Sequence, residues 1–176
     1  ILHDKTPYGQ GLAEEFKRTF AARGGQIVSE DGISVGDKDY KALLTRIKST
    51  GSEGLYFGGL YTEAGLILKQ MRELGMPQIF ISGDGSRTPG VVDVAGNAAD
   101  GAYFTMVGTP VELLPAAQKF IVDYKSRWTG SGEELKPFDH FGYEAAMIIV
   151  DAMQRAGPDR AKVTEALRQT RYDGLV

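Results

Sequence analysis

With 176 residues, 42% of them hydrophobic and 24% charged, the chain has the makeup of one folded domain, or of one and a fraction, with a real core. Its net charge of -3 argues against a nucleic-acid-binding surface, which needs a basic patch, and no apolar run approaches the roughly 18 residues of a membrane-spanning helix. The absence of cysteine excludes disulfides, thiolate metal sites and a cysteine nucleophile, whatever the compartment.

The predicted elements begin with Ile1 to His3, which reads as the tail of a strand. Asp4 to Gly9 is a turn into a helix, with Thr6 as N-cap and Pro7 at the first helical position, where no N–H is needed. Leu12, Phe16 and Phe20 recur every four residues on one helix face, and Gly24-Gly25 ends it. A short strand is expected over Gln26 to Ser29, then a helix over Asp39 to Ser49 with Leu43, Leu44 and Ile47 inward. Leu55-Tyr56-Phe57 is a buried, non-alternating strand, followed by the Gly58-Gly59 turn and a helix capped by Thr62. Leu66, Ile67, Met71 and Leu74 face inward on that helix, and Gly75 ends it. Ile79 to Ser82 is a strand, Pro89 to Ala95 a short helix, and Ala102 to Val107 another strand.

From about Leu113 the character changes and no strand is evident. Ala116 to Trp128 is helical, with Phe120, Tyr124 and Trp128 spaced by four, and residues 129–132 form a loop. Phe138 to Arg155 is a long helix with Phe141, Ala145, Ile148, Ile149 and Ala152 on one side. Gly157-Pro158 breaks it, and Asp159 starts a last helix to about Thr170. Short apolar strands alternating with helices imply an α/β fold: a mainly parallel sheet with helices on both faces, followed by a helical C-terminal segment. The apolar stripes of that tail need a sheet to cover. Both ends suggest a piece of a longer protein, since the first residues finish a strand and the last stop on a turn. The lack of a signal segment therefore carries no argument about export.

Function-bearing candidates are few. Gly83-Asp84-Gly85 places a lone carboxylate just past a buried strand, the edge where open α/β sheets bind ligands; the competing reading is a plain turn. Tyr8, at a helix start after the first strand, either presents its ring to a ligand or serves as a staple residue. Gly58-Gly59-Leu60-Tyr61 allows close backbone approach to a ligand, or is a tight turn. No phosphate loop, dinucleotide fingerprint or nucleophile elbow occurs. His3 and His140 are far apart with no companion ligands, so no metal site is expected, and His140 reads as a structural residue.

Taken together, Asp4-Lys5-Thr6-Pro7-Tyr8-Gly9-Gln10-Gly11, Gly32-Ile33 with Asp37-Lys38-Asp39-Tyr40, Gly58-Gly59 with Glu63-Ala64-Gly65, Gly83-Asp84-Gly85, Ala95-Gly96 and Asp100-Gly101 resemble the periplasmic leucine/isoleucine/valine-binding proteins. These are the substrate-binding components of ABC transporters, with two α/β lobes that close on a ligand. The resemblance runs from residue 1 to about 172 and implies that residues 1–107 are the second lobe. It implies that residues 108–172 are helices packing on the absent first lobe, and that 173–176 are a truncated return to the second lobe. By the same resemblance Tyr8 contacts ligand, Asp84 binds the ligand's α-ammonium in place of the Glu of long-established members, and Gly85 lies against the ligand. Leu60 stands where those members carry a pocket aromatic, which leaves the choice of amino acid, amide or aromatic acid open.

The resemblance further implies a periplasmic protein that performs no bond chemistry, requires no cofactor and binds no nucleic acid. Its partners would be a small-molecule ligand, the first lobe and a membrane permease. The orphan helices are expected to pack on another copy by swapping, or to cover this lobe in a way unlike the family. The fragment alone is expected to be binding-incompetent. A ligand-sensing domain of a regulator or receptor, and behind it an α/β enzyme, are the competing readings.

Overall fold

The computed structural model describes residues 1–128, 130–131 and 134–175. The chain forms two compact units, one of Ile1–Val107 and a second from Gly108 onward.

In the first unit β1 (Leu2–His3), α1 (Pro7–Ala22), β2 (Asp31–Gly32), α2 (Lys41–Lys48), β3 (Gly54–Gly58), α3 (Tyr61–Glu73), β4 (Ile79–Ser82), α4 (Pro89–Ala95) and β5 (Tyr103–Phe104) follow one another. The strands pair in the order β2-β1-β3-β4-β5, every pairing parallel. The doubly wound sheet that the strand–helix alternation implied is therefore present. The main core lies on one face, where Leu2, Leu55, Phe57 and Phe80 of the strands meet Leu44 and Ile47 of α2, Ile67, Leu68 and Met71 of α3, and Val91 of α4. Tyr56 points to the other face, where its ring stacks on Phe16 of α1 at 4.0 Å. Strand alternation thus sends one helix to one side and three to the other.

Four details depart from the sequence reading. No strand forms over Gln26–Ser29; pairing to β1 begins with the Ile1 amino group donating to the Ser29 carbonyl and continues at Asp31 and Gly32. Position opposite β1, not local β propensity, decides where β2 lies. The α3 N-cap is Leu60 rather than Thr62, because the helix starts directly from the Gly58-Gly59 turn and Leu60 offers its carbonyl to Ala64 N–H. On α1 the buried positions are Gly9 and Ala13, where the first turns of the helix lie closest to the sheet, while Phe16 stacks on Tyr56 and Phe20 is exposed. The last strand is cut to Tyr103–Phe104, with Thr105 N–H still donating to the Ser82 carbonyl.

The second unit holds α5 (Gln118–Trp128), α6 (Asp139–Ala156) and α7 (Arg160–Arg168), and no strand occurs among its described residues. Asp159 caps α7 by accepting from Lys162 N–H. Part of the loop expected at 129–132 lies outside the described residues. The buried cluster here is small: Val111, Ala117 and Ile121, backed by Leu114, Phe120, Leu135 and Leu175. On α6, Ala152 is buried and Phe141 and Ile148 are half-buried, but Ala145, Ile149, Val150 and Met153 are exposed. The buried carboxylate of Glu144 accepts from Leu175 N–H at 2.6 Å, which fastens the last described residues to α6.

Candidate functional site

In a parallel sheet of this order the direction in which successive strands are added reverses between β1 and β3, and α1 and α3 leave those two strands toward opposite faces. The loops at the carboxyl ends of β1, β3 and the adjoining β4 therefore border one crevice. All four residues singled out from the sequence sit on these loops, and the structure brings them together.

The first loop is shaped by Asp4, whose buried carboxylate accepts from Thr6 N–H at 2.9 Å and from the Thr6 hydroxyl at 2.6 Å. The Thr6 oxygen in turn accepts from Gly9 N–H at 3.0 Å and caps α1. This fixes the first turn of the helix and aims Tyr8 along the sheet edge. Gly9 permits the approach: a Cβ there would stand 2.5 Å from the Gly58 carbonyl oxygen and would also strike the Asp4 carboxylate.

The Tyr8 hydroxyl donates to Asp84 Oδ1 at 3.0 Å and accepts from Gly85 N–H at 3.0 Å. Asp84 opens a single 3₁₀ turn, Asp84–Ser86, directly after β4. Among the described residues no cation pairs with Asp84, so its half-buried charge is met only by the Tyr8 hydroxyl. Gly85 is wedged between two side chains: a Cβ would lie 2.7 Å from the Tyr8 oxygen and 2.9 Å from Leu60 Cδ2. Leu60 is about half exposed and forms the apolar side of the group. Partial burial pushes the Tyr8 phenol up to about 12; the Gly85 amide opposes the rise and the Asp84 carboxylate adds to it. Tyr56, behind them, is raised by burial first and by the Asp84 charge second.

Sequence reasoning missed two hydroxyls beneath this surface. Ser82 and Ser86 are both fully buried, four residues apart around Gly83-Asp84-Gly85. Their signal was the i, i+4 spacing about the turn, which reads equally well as ordinary turn chemistry. His140 is fully buried beside Phe141, with ring centroids 4.0 Å apart, and no cluster of metal-ligating side chains exists among the described residues. The arrangement around Asp84 can hold a cationic head group against the carboxylate with an aliphatic body along Leu60.

The sequence profile of the periplasmic binding proteins matches residues 1–176. The chain belongs to that family. A Leu/Ile/Val-binding protein homologue of Brucella abortus is 35% identical over 170 residues, which is 96% of this chain and 44% of the relative. The leucine-binding protein LivK of Thermotoga maritima superposes with a TM-score of 0.86 at 32% identity, covering 99% of this chain and 50% of that one. The branched-chain amino acid transporter substrate-binding protein LivJ of Streptococcus pneumoniae, solved in complex with isoleucine, superposes with a TM-score of 0.85 at 26% identity, covering 99% and 49%. The chain thus spans about half the length of the family members it matches.

Proposed function

We propose that this chain is the amine-gripping part of a periplasmic solute-binding protein that delivers branched-chain or related amino acids to an ABC transporter. The observation that carries the reading is the Tyr8–Asp84–Gly85 cluster, which leaves a carboxylate without a cation among the described residues at the edge of the sheet. An α-ammonium placed there gains a charge-assisted hydrogen bond of about 1.5–3 kcal/mol. Leu60 and the Tyr8 ring line the path of the ligand's side chain. The names of the relatives, binders of leucine, isoleucine and valine, support the same ligand class.

In this reading the protein does no bond chemistry. A first lobe, outside this chain, supplies donors for the ligand carboxylate; the lobes close on the ligand by a hinge, and the closed form is read by a membrane permease. The exposed Ile149, Val150 and Met153 of α6 support a role for the second unit in covering further protein. The test is a thermal-shift screen of the full-length protein against amino acids, amides and small aromatic acids, repeated with Asp84→Ala. The expected result is an amine-bearing hit weakened roughly ten- to a hundredfold by the substitution, the equivalent of one charge-assisted bond. Full affinity in the variant would remove Asp84 from the site.

A further inference from the structure

The carboxylate and the apolar wall of the site belong to different loops, and buried hydroxyls join those loops from below. The Ser82 hydroxyl lies 2.7 Å from the Phe57 carbonyl oxygen and 2.9 Å from the Ser86 hydroxyl. The Ser86 hydroxyl donates to the Gly59 carbonyl at 3.0 Å. Phe57 lies in the buried part of β3, and Gly59, also buried, is the residue before Leu60. Ser82 and Ser86 flank Asp84 and Gly85. Two hydroxyl protons therefore serve a chain of three short oxygen contacts running from the β4 loop to the β3 loop, in a place closed to water. On its other side the same turn is held by the Tyr8 hydroxyl on Gly85 N–H, 3.0 Å away.

We infer that Ser86, backed by Ser82, is a positioning residue that sets the distance between Asp84 and Leu60, and through it the length of aliphatic side chain the site prefers. The inference rests on the amino-acid-binding reading above and deepens it. Removing the Ser86 hydroxyl leaves the Gly59 carbonyl without its buried donor, and the turn that carries Leu60 loses its tie to the turn that carries Asp84. The Leu60 side chain is half exposed, so it shifts at small cost to the core, while its carbonyl stays tied to the start of α3 through Ala64 N–H.

The experiment measures the affinities of the full-length protein for L-leucine and L-alanine by calorimetry, together with thermal melting, in wild type, Ser86→Ala, Ser82→Ala and Asp84→Ala. For Ser86→Ala the expected result is cooperative melting, about a tenfold loss of leucine affinity and a leucine-to-alanine affinity ratio that moves by several-fold. Ser82→Ala, which keeps the Gly59 contact, shifts both quantities in the same direction by less. It carries the comparison if Ser86→Ala does not fold. A merely structural role lowers the melting temperature and leaves the ratio where it was. If Asp84→Ala abolishes binding while the folded serine variants keep the wild-type affinity and ratio, the positioning role is overturned and the amino-acid reading stands. If Asp84→Ala binds leucine like wild type, that reading falls and takes this inference with it.

Discussion

The Tyr8 oxygen works in two directions at once, as donor to Asp84 and acceptor from Gly85, and the bond to Asp84 needs the phenol to keep its proton. Its titration is therefore tied to the order of the site. The phenol is raised from 10.0 to about 12, so the folded state holds the proton more tightly than the unfolded chain does. The stability that comes from this difference is fully present below pH 10 and is lost as the pH climbs toward 12. Tyr8→Phe removes the titrating group and both hydrogen bonds. In unfolding titrations followed by fluorescence between pH 9 and 12, wild type is expected to lose stability more steeply than Tyr8→Phe. The variant should also show one fewer late-ionising tyrosine in the phenolate absorbance. Equal slopes in the two proteins would separate Tyr8 from the hydrogen-bond cluster. Tyr40 and Tyr56 are also raised, so the contrast with the variant, not the wild-type curve alone, isolates Tyr8.

At the scale of elements, the site depends on how closely α1 descends onto β3, and Gly9 is the residue that permits it. A Cβ at this position meets the backbone carbonyl of Gly58, which is held in the sheet and cannot swing away as a side-chain tip can. Gly9→Ala is expected to cost about 1–3 kcal/mol in denaturant unfolding and to displace Tyr8 from Asp84. A loss below about 0.5 kcal/mol would mean that α1 is free to lift off the sheet. Much of this layout was legible in the sequence. The strand at Ile79–Ser82 and the helix at Pro89–Ala95 have the expected bounds, because an apolar run between turn residues and a Thr-Pro helix start are local signals. Tyr8, Leu60, Asp84 and Gly85 could be placed on one edge because each directly follows a strand. What stayed hidden was decided across the sheet. Strand β2 lies where it meets β1, not where Gln26–Ser29 suggested. Thr62 lost the capping position to Leu60 because the helix starts two residues earlier, directly from the Gly58-Gly59 turn. Asp4, Ser82 and Ser86 resemble ordinary turn residues until the neighbouring strand brings Phe57 and Gly59 within reach of the two hydroxyls.

At the scale of the whole molecule, the proposed function gives the chain an anchor for one end of an amino acid, while the relatives it matches are about twice as long. The energies available to the isolated chain can be bounded. One charge-assisted hydrogen bond at Asp84 contributes about 1.5–3 kcal/mol. Burying a leucine side chain completely contributes about 1.5–3 kcal/mol, and Leu60 with the exposed ring edge of Tyr8 covers only part of one. Against these stands the loss of translational and rotational freedom on association, about 4–15 kcal/mol. The balance falls short of the roughly 4 kcal/mol that corresponds to millimolar affinity. Calorimetric titration of the 176-residue chain with L-leucine is therefore expected to give no heat beyond dilution up to the millimolar range, while the full-length protein binds. Micromolar binding by the isolated chain would show that it holds the ligand carboxylate as well as the ammonium. That result would require a second set of donors within these residues, and the argument for capture between two lobes would fail with it.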